Sequence, residues 1–103
     1  MEVRTNVDDG GARLEVDGEL DIAAAPVLEQ EVQRVLAAGH RDVTLDLGRT
    51  TLLDSAGLGA LVRAAREVHR CDGRMAVHSP PGSDARLVIQ LSGTGPAIGL
   101  REP

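Results

Sequence analysis

The stretch whose reading decides the fold is Leu52–Val62, "LLDSAGLGALV". Two leucines run into Asp54 and Ser55. Small residues follow, and a helical apolar pattern then begins. An Asp at such a junction is a helix N-cap, because its carboxylate can accept a bond from an unpaired amide of the first turn. The spacing therefore predicts a helix starting at Ser55. Leu58, Leu61, Val62, Ala65 and Val68 fall at i, i+3, i+4, i+7 and i+10 and form its inward stripe, while Arg63, Arg66, Glu67 and Arg70 face water. Asp72-Gly73 ends it.

The pattern upstream of the junction is different. Val43, Leu45 and Leu47 alternate with polar residues, so Asp42–Leu47 reads as a half-buried strand, with a short loop over Gly48–Leu53. Further back, Pro26 marks a helix start, and Leu28, Val32, Val35 and Leu36 lie at i, i+4, i+7 and i+8. Gly39 stops that helix. The chain opens with two alternating runs, Met1–Val7 and Ala12–Asp17, around Asp8-Asp9-Gly10-Gly11, a hairpin with one wet face. Downstream, Met75–Val77 is a short strand. Pro80-Pro81-Gly82 is a turn, and Ser83 caps a third helix to about Leu91. The glycine-rich end predicts only a weak strand at Ala97–Leu100 and a mobile tail beyond Gly93.

The order β-β-α-β-α-β-α-β predicts an α/β fold, a mixed sheet with helices packed against it. At 103 residues the chain suits a single domain, residues 1–103. It contains no Phe, Tyr or Trp, so the core must be Leu, Val, Ile and Ala. A net charge of −5 and the lack of any basic run argue against direct nucleic-acid binding. No apolar run approaches the roughly 20 residues of a membrane span. The lone Cys71 makes an internal disulfide impossible and suits a reduced, cytoplasmic protein.

Enzyme motifs fail one after another. A nucleophile elbow needs Gly where Leu53 stands. Gly57-Leu58-Gly59 lacks the third glycine of a dinucleotide fingerprint, and there is no G-K-[ST] phosphate loop. His40, His69 and His78 have no metal-site spacing and read as surface residues. No catalytic residue, metal or cofactor is expected. Ser55 remains. It is predicted to lie exposed in the first turn, backed by unpaired amides and the positive end of the helix dipole, where a phosphate would be accepted. The simpler reading, in which Asp54-Ser55 is only capping chemistry, stays open on physics alone.

Val43–Ala64, "VTLDLGRTTLLDSAGLGALVRA", together with Gly18–Asp21, "GELD", resembles the STAS family, in particular its bacterial anti-sigma factor antagonists. The resemblance covers most of Val3–Gly93. It implies that Ser55 is phosphorylated by a partner, an anti-sigma factor with serine kinase activity, and that a serine phosphatase reverses this. It implies a partner surface of Asp21, Asp54, Ser55, Ala56, Gly57, Leu58 and Gly59, although Asp21 also reads as a plain loop carboxylate. The unphosphorylated form would bind the anti-sigma factor and release a sigma factor. An alternative is a structural subunit of a stress-sensing or transport-associated assembly. Two departures stand out. Ala56 replaces the second hydroxyl of many relatives, and the further helix that usually closes the family's fold is not expected before Pro103.

Overall fold

The computed structural model describes residues 1–102. Its elements are β1 (Glu2–Asp8), β2 (Gly11–Leu20), α1 (Ala25–Ala37), β3 (Asp42–Leu53), α2 (Ser55–Arg70), β4 (Arg74–His78), α3 (Asp84–Ser92) and α4 (Gly95–Ile98). The sheet runs β1-β2-β3-β4. The β1–β2 hairpin is antiparallel, with Val3 opposite Val16 and Thr5 opposite Leu14. The β2–β3 and β3–β4 pairs are parallel, each joined through a helix. The mixed sheet predicted from the alternating runs is thus present.

One face of the sheet is apolar and carries the helices. Leu14, Val16, Val43, Leu45 and Val77 join Leu28, Val32 and Val35 of α1, Leu61 and Val68 of α2, Ile89 of α3 and Ile98 of α4 in one buried cluster. Strand alternation sends the intervening residues to the opposite, wet face. There Arg13 pairs with Asp46 at 2.7 Å and Arg4 with Asp17 at 3.7 Å. In α2 the deepest residues are Gly57, Ala60, Leu61, Ala64, Ala65 and Val68, while Leu58 and Val62 are half-buried. The buried face is therefore rotated toward its small residues, which let the helix approach the sheet and α1 closely.

The predicted loop at Gly48–Leu53 is strand. Its backbone pairs with the end of β2 from Asp17–Arg49 to Leu20–Leu53. Glu15 pairs with Asp46 and Asp17 with Arg49; Gly18 pairs with Thr50 and Glu19 with Leu52. Each of these two steps leaves an extra residue on β3, the signature of a bulge. The hydroxyl of Thr50 donates to the carbonyl of Val16 at 2.9 Å. Alternation is lost here because most of these side chains are exposed. The pairing rests on backbone bonds that no hydropathy pattern records.

The C-terminal segment also departs from expectation. Instead of a strand at Ala97–Leu100 there is the short α4, followed by a single parallel bridge between Leu100 and Val77. Gly99 has φ 75°, and a Cβ there would fall 2.2 Å from the carbonyl oxygen of Met75, so only glycine fits. The Val77 amide donates to Gly99 and the Arg101 amide to Val77, both at 2.9 Å. Arg86, only 6% exposed, donates through Nη1 to the carbonyl of Ser79 at 2.8 Å and through Nη2 to that of Arg101 at 2.9 Å. The predicted mobile tail is thus tied to the edge of β4. No long terminal helix follows among the described residues.

Thr5 of β1 donates to Glu31 of α1, which also accepts from Arg34 at 2.9 and 2.6 Å. The Arg34 fork, with the Thr5 hydroxyl, lowers the Glu31 carboxyl from 4.5 to about 2.

Two outcomes follow from these bonds. A carboxyl depressed by folding stabilises the native state above its ordinary pKa and loses that contribution as pH falls through the depressed value. Glu31→Gln should therefore lower the urea midpoint at neutral pH. The gap to the parent should narrow below 4.5 and close near pH 2, and a gap independent of pH would contradict the pairing. In native-state hydrogen exchange the amides of Val77 and Arg101 should exchange slowly. Exchange at the rate of an unstructured peptide would show the tail to be loose after all.

Candidate functional site

Parallel pairing ends at the Leu20–Leu53 pair. The next residue on each strand is an aspartate, Asp21 after β2 and Asp54 after β3, so both leave the sheet side by side. Asp54 is extended (φ −106°, ψ −173°), and its Oδ1 accepts from the amide of Gly57 at 2.9 Å. Its own carbonyl accepts from Leu58 at 2.9 Å. This is the predicted N-cap. Asp21 does comparable work in front of α1, with Oδ1 accepting from Ala24 at 3.0 Å and its carbonyl accepting from Ala25 at 2.9 Å.

What holds these two turns together is Gly57. A Cβ at this position would lie 2.0 Å from the carbonyl oxygen of Leu20 and 2.9 Å from Cδ1 of Leu53. The first turn of α2 thus rests directly on the last residues of both strands. Gly57 is buried, and its smallness serves this internal contact.

Ser55 is the first residue of α2 and is exposed. Asp21, Asp54, Ala56, Leu58 and Gly59 are half-buried around it. The first turn of α2 contains no acidic residue, so the only carboxylate of α2's own start that meets the positive end of the dipole is the capping Asp54, which takes up the Gly57 amide. The sequence-predicted residues are therefore gathered at one end of the sheet, with Gly57 beneath the others.

Two residues escaped the sequence reading. Ile22, next to Asp21, is 78% exposed, and Leu52, two residues before Asp54, is 41% exposed. Single exposed apolar residues are common, but these two lie close in sequence to the two aspartates. The available signal was an isoleucine inside an otherwise small and polar turn, "DIAAAP". Among the described residues there is no cluster of three or more His, Cys, Asp or Glu side chains able to hold a metal. No helix there is long and apolar enough to cross a membrane.

Known proteins share this fold. The family model described as "Mlab, STAS domain" matches residues 3–95. An anti-sigma-B factor antagonist of Staphylococcus aureus is 27% identical over 77 residues, spanning 75% of this chain and 71% of its own. Among solved structures, an anti-sigma factor antagonist from Mycobacterium paratuberculosis is 26% identical with a TM-score of 0.83, over 99% of this chain and 86% of its own. The antagonist SpoIIAA in its unphosphorylated form superposes with a TM-score of 0.80 at 22% identity, over 99% and 88%, a likeness of fold. From the family match over residues 3–95, β1 through α3, the chain belongs to the STAS domain family, with anti-sigma factor antagonists among its relatives.

Proposed function

We propose that this protein is a phosphorylation-controlled anti-sigma factor antagonist. The observation that carries the reading is the exposed Ser55 in the first turn of α2, next to the capping Asp54 at the strand ends that also lead into Asp21. Unmodified, the surface of Asp21, Asp54, Ser55, Ala56, Leu58 and Gly59, shaped from below by Gly57, docks on an anti-sigma factor in the cytoplasm. A sigma factor is thereby released. Ile22 and Leu52 supply apolar area that a partner would remove from water, at about 25 cal/mol per Å².

The partner is the catalyst and this chain its substrate. The Ser55 Oγ attacks the γ-phosphorus of ATP, the bond to the β,γ-bridging oxygen breaks, ADP departs, and a base of the kinase takes the hydroxyl proton. A separate serine phosphatase returns Ser55 and inorganic phosphate by water attack. The new group brings about −1.5 to −2 charges into the contact, beside Asp21 and Asp54. An unpaired charge at an interface centre costs about 2–5 kcal/mol, or roughly thirty- to several-thousand-fold in affinity. The domain itself tolerates the anion, because the helix N-terminus favours it by about 0.3–1 kcal/mol.

Calorimetric titration with a candidate kinase-fold anti-sigma factor is the test. Ser55→Asp should weaken binding by at least about thirtyfold with an unchanged circular dichroism spectrum. Ser55→Ala should bind like the parent yet incorporate no phosphate when incubated with the factor and ATP. If phosphate maps to another residue, or Ser55→Asp binds as tightly as the parent, Ser55 is a capping-turn residue and nothing more.

A further inference from the structure

Arg63 stands two turns beyond Ser55 on α2, yet its guanidinium is folded back toward the helix start. Its Nη1 lies 3.1 Å, and its Cζ and Nη2 lie 3.7 Å, from the place a Cβ on Gly59 would occupy. Gly59 is one turn from Ser55, and equivalent side-chain positions one turn apart are separated by about 5–6 Å. The guanidinium therefore lies over the turn that separates it from Ser55, close against Gly59. Its present partner is Glu29 of α1, whose Oε1 accepts from the Arg63 Nε.

That ion pair is weakly held. The Arg63 side chain is 54% exposed and that of Glu29 28%, and solvent screening leaves pairs with such exposure little net stability. They sit on the wall of a groove of about 510 Å³ between α1 and α2, which Arg66, Glu67 and Arg70 also line. Of these, Arg70 is paired with Glu67 at 2.8 Å. A carboxylate offers Arg63 one negative charge. A phosphoserine one turn away offers about −1.5 to −2 charges and three acceptor oxygens, in a geometry that a guanidinium meets with two parallel bonds.

We infer that Arg63 is the internal counter-ion of Ser55 in its phosphorylated form, leaving Glu29 to close over the phosphate. The inference rests on the reading of Ser55 as a phosphorylation site and adds how the folded domain holds the group. Asp21 and Asp54 oppose the new charge, while the first-turn amides of α2 and Arg63 favour it. The exchange also opens the Arg63–Glu29 bridge between α1 and α2. A partner then meets a phosphate partly neutralised by Arg63 and an uncovered Glu29, so the added negative charge is spread along the face toward α1.

The test needs neither kinase nor partner, so its failure is separable from failure of the antagonist reading. Phosphoserine is placed at position 55 of the full chain during translation, and its second ionisation, near 6 for an exposed group, is followed by ³¹P NMR. Pairing favours the dianion and lowers that pKa. The parent should titrate below Arg63→Gln by roughly half a unit, with Arg63→Lys between them. Glu29→Gln should titrate at or below the parent, because the competing carboxylate is gone. The helix terminus and both aspartates act alike in all four proteins, so the differences isolate Arg63. The Arg63 Nε–Hε resonance should move as the phosphate titrates, and this reading stands even if a variant fails to fold. Equal titration of the parent and Arg63→Gln, or an Arg63 resonance indifferent to the phosphate, would overturn the inference.

Discussion

The carbonyl oxygen of Leu20 lies 2.0 Å from where any side chain on Gly57 would begin. That contact joins the end of one strand, the start of one helix and, through Leu53, the end of the neighbouring strand. Parallel pairing alone would bring Asp21 and Asp54 to the same edge of the sheet. The glycine contact then sets the height of α2 against that edge, and so fixes where Ser55 emerges. Any larger residue would have to lift the helix start away from the strands. The half-buried ring around Ser55 would then separate into a turn and a helix end.

Helix polarity gives this edge its chemistry. The amides at the start of α2 are pointed outward by the same backbone geometry that buries Ala60, Leu61 and Ala64. Asp54 satisfies one of them and is held in place by doing so. The result combines a positive helix end with two carboxylates a residue or two away. Anion binding and anion repulsion are therefore both built into a small area. A charge added at Ser55 is acceptable to the domain and unfavourable for a closely packed neighbour. Under the proposed function, this asymmetry would let a modification of Ser55 act on binding without acting on folding.

Far from that edge, the core solves a different problem. Without aromatic side chains, volume must come from many aliphatic residues in close register, and small residues on α2 allow the approach. The β4 edge is closed by a bridge at Leu100 and by the buried Arg86, whose guanidinium reaches two backbone carbonyls. A cation bonded only to carbonyl dipoles at nine-tenths burial is expensive to desolvate. Its retention is understandable where one planar fork can join the loop after β4 to the segment after α4.

Periodicity in the sequence was enough to determine the hairpin, the three longer helices, the apolar stretch of β3 and the caps at Asp54 and Ser83, because these depend on residues within one or two turns of each other. It also placed Ser55 at a helix start, since capping is local chemistry. Tertiary structure alone decided that Gly48–Leu53 is strand, because the bonds that make it so come from β2 and leave no trace in side-chain pattern. It alone decided that Gly57 faces inward while Ser55 faces out, that Ile22 and Leu52 are left exposed, and that the segment after Gly93 is tied down through Arg86. Each of these depends on which backbone atom from a distant part of the chain arrives within bonding or van der Waals distance. A local pattern carries propensity, whereas such distances are set by how the sheet and its helices pack.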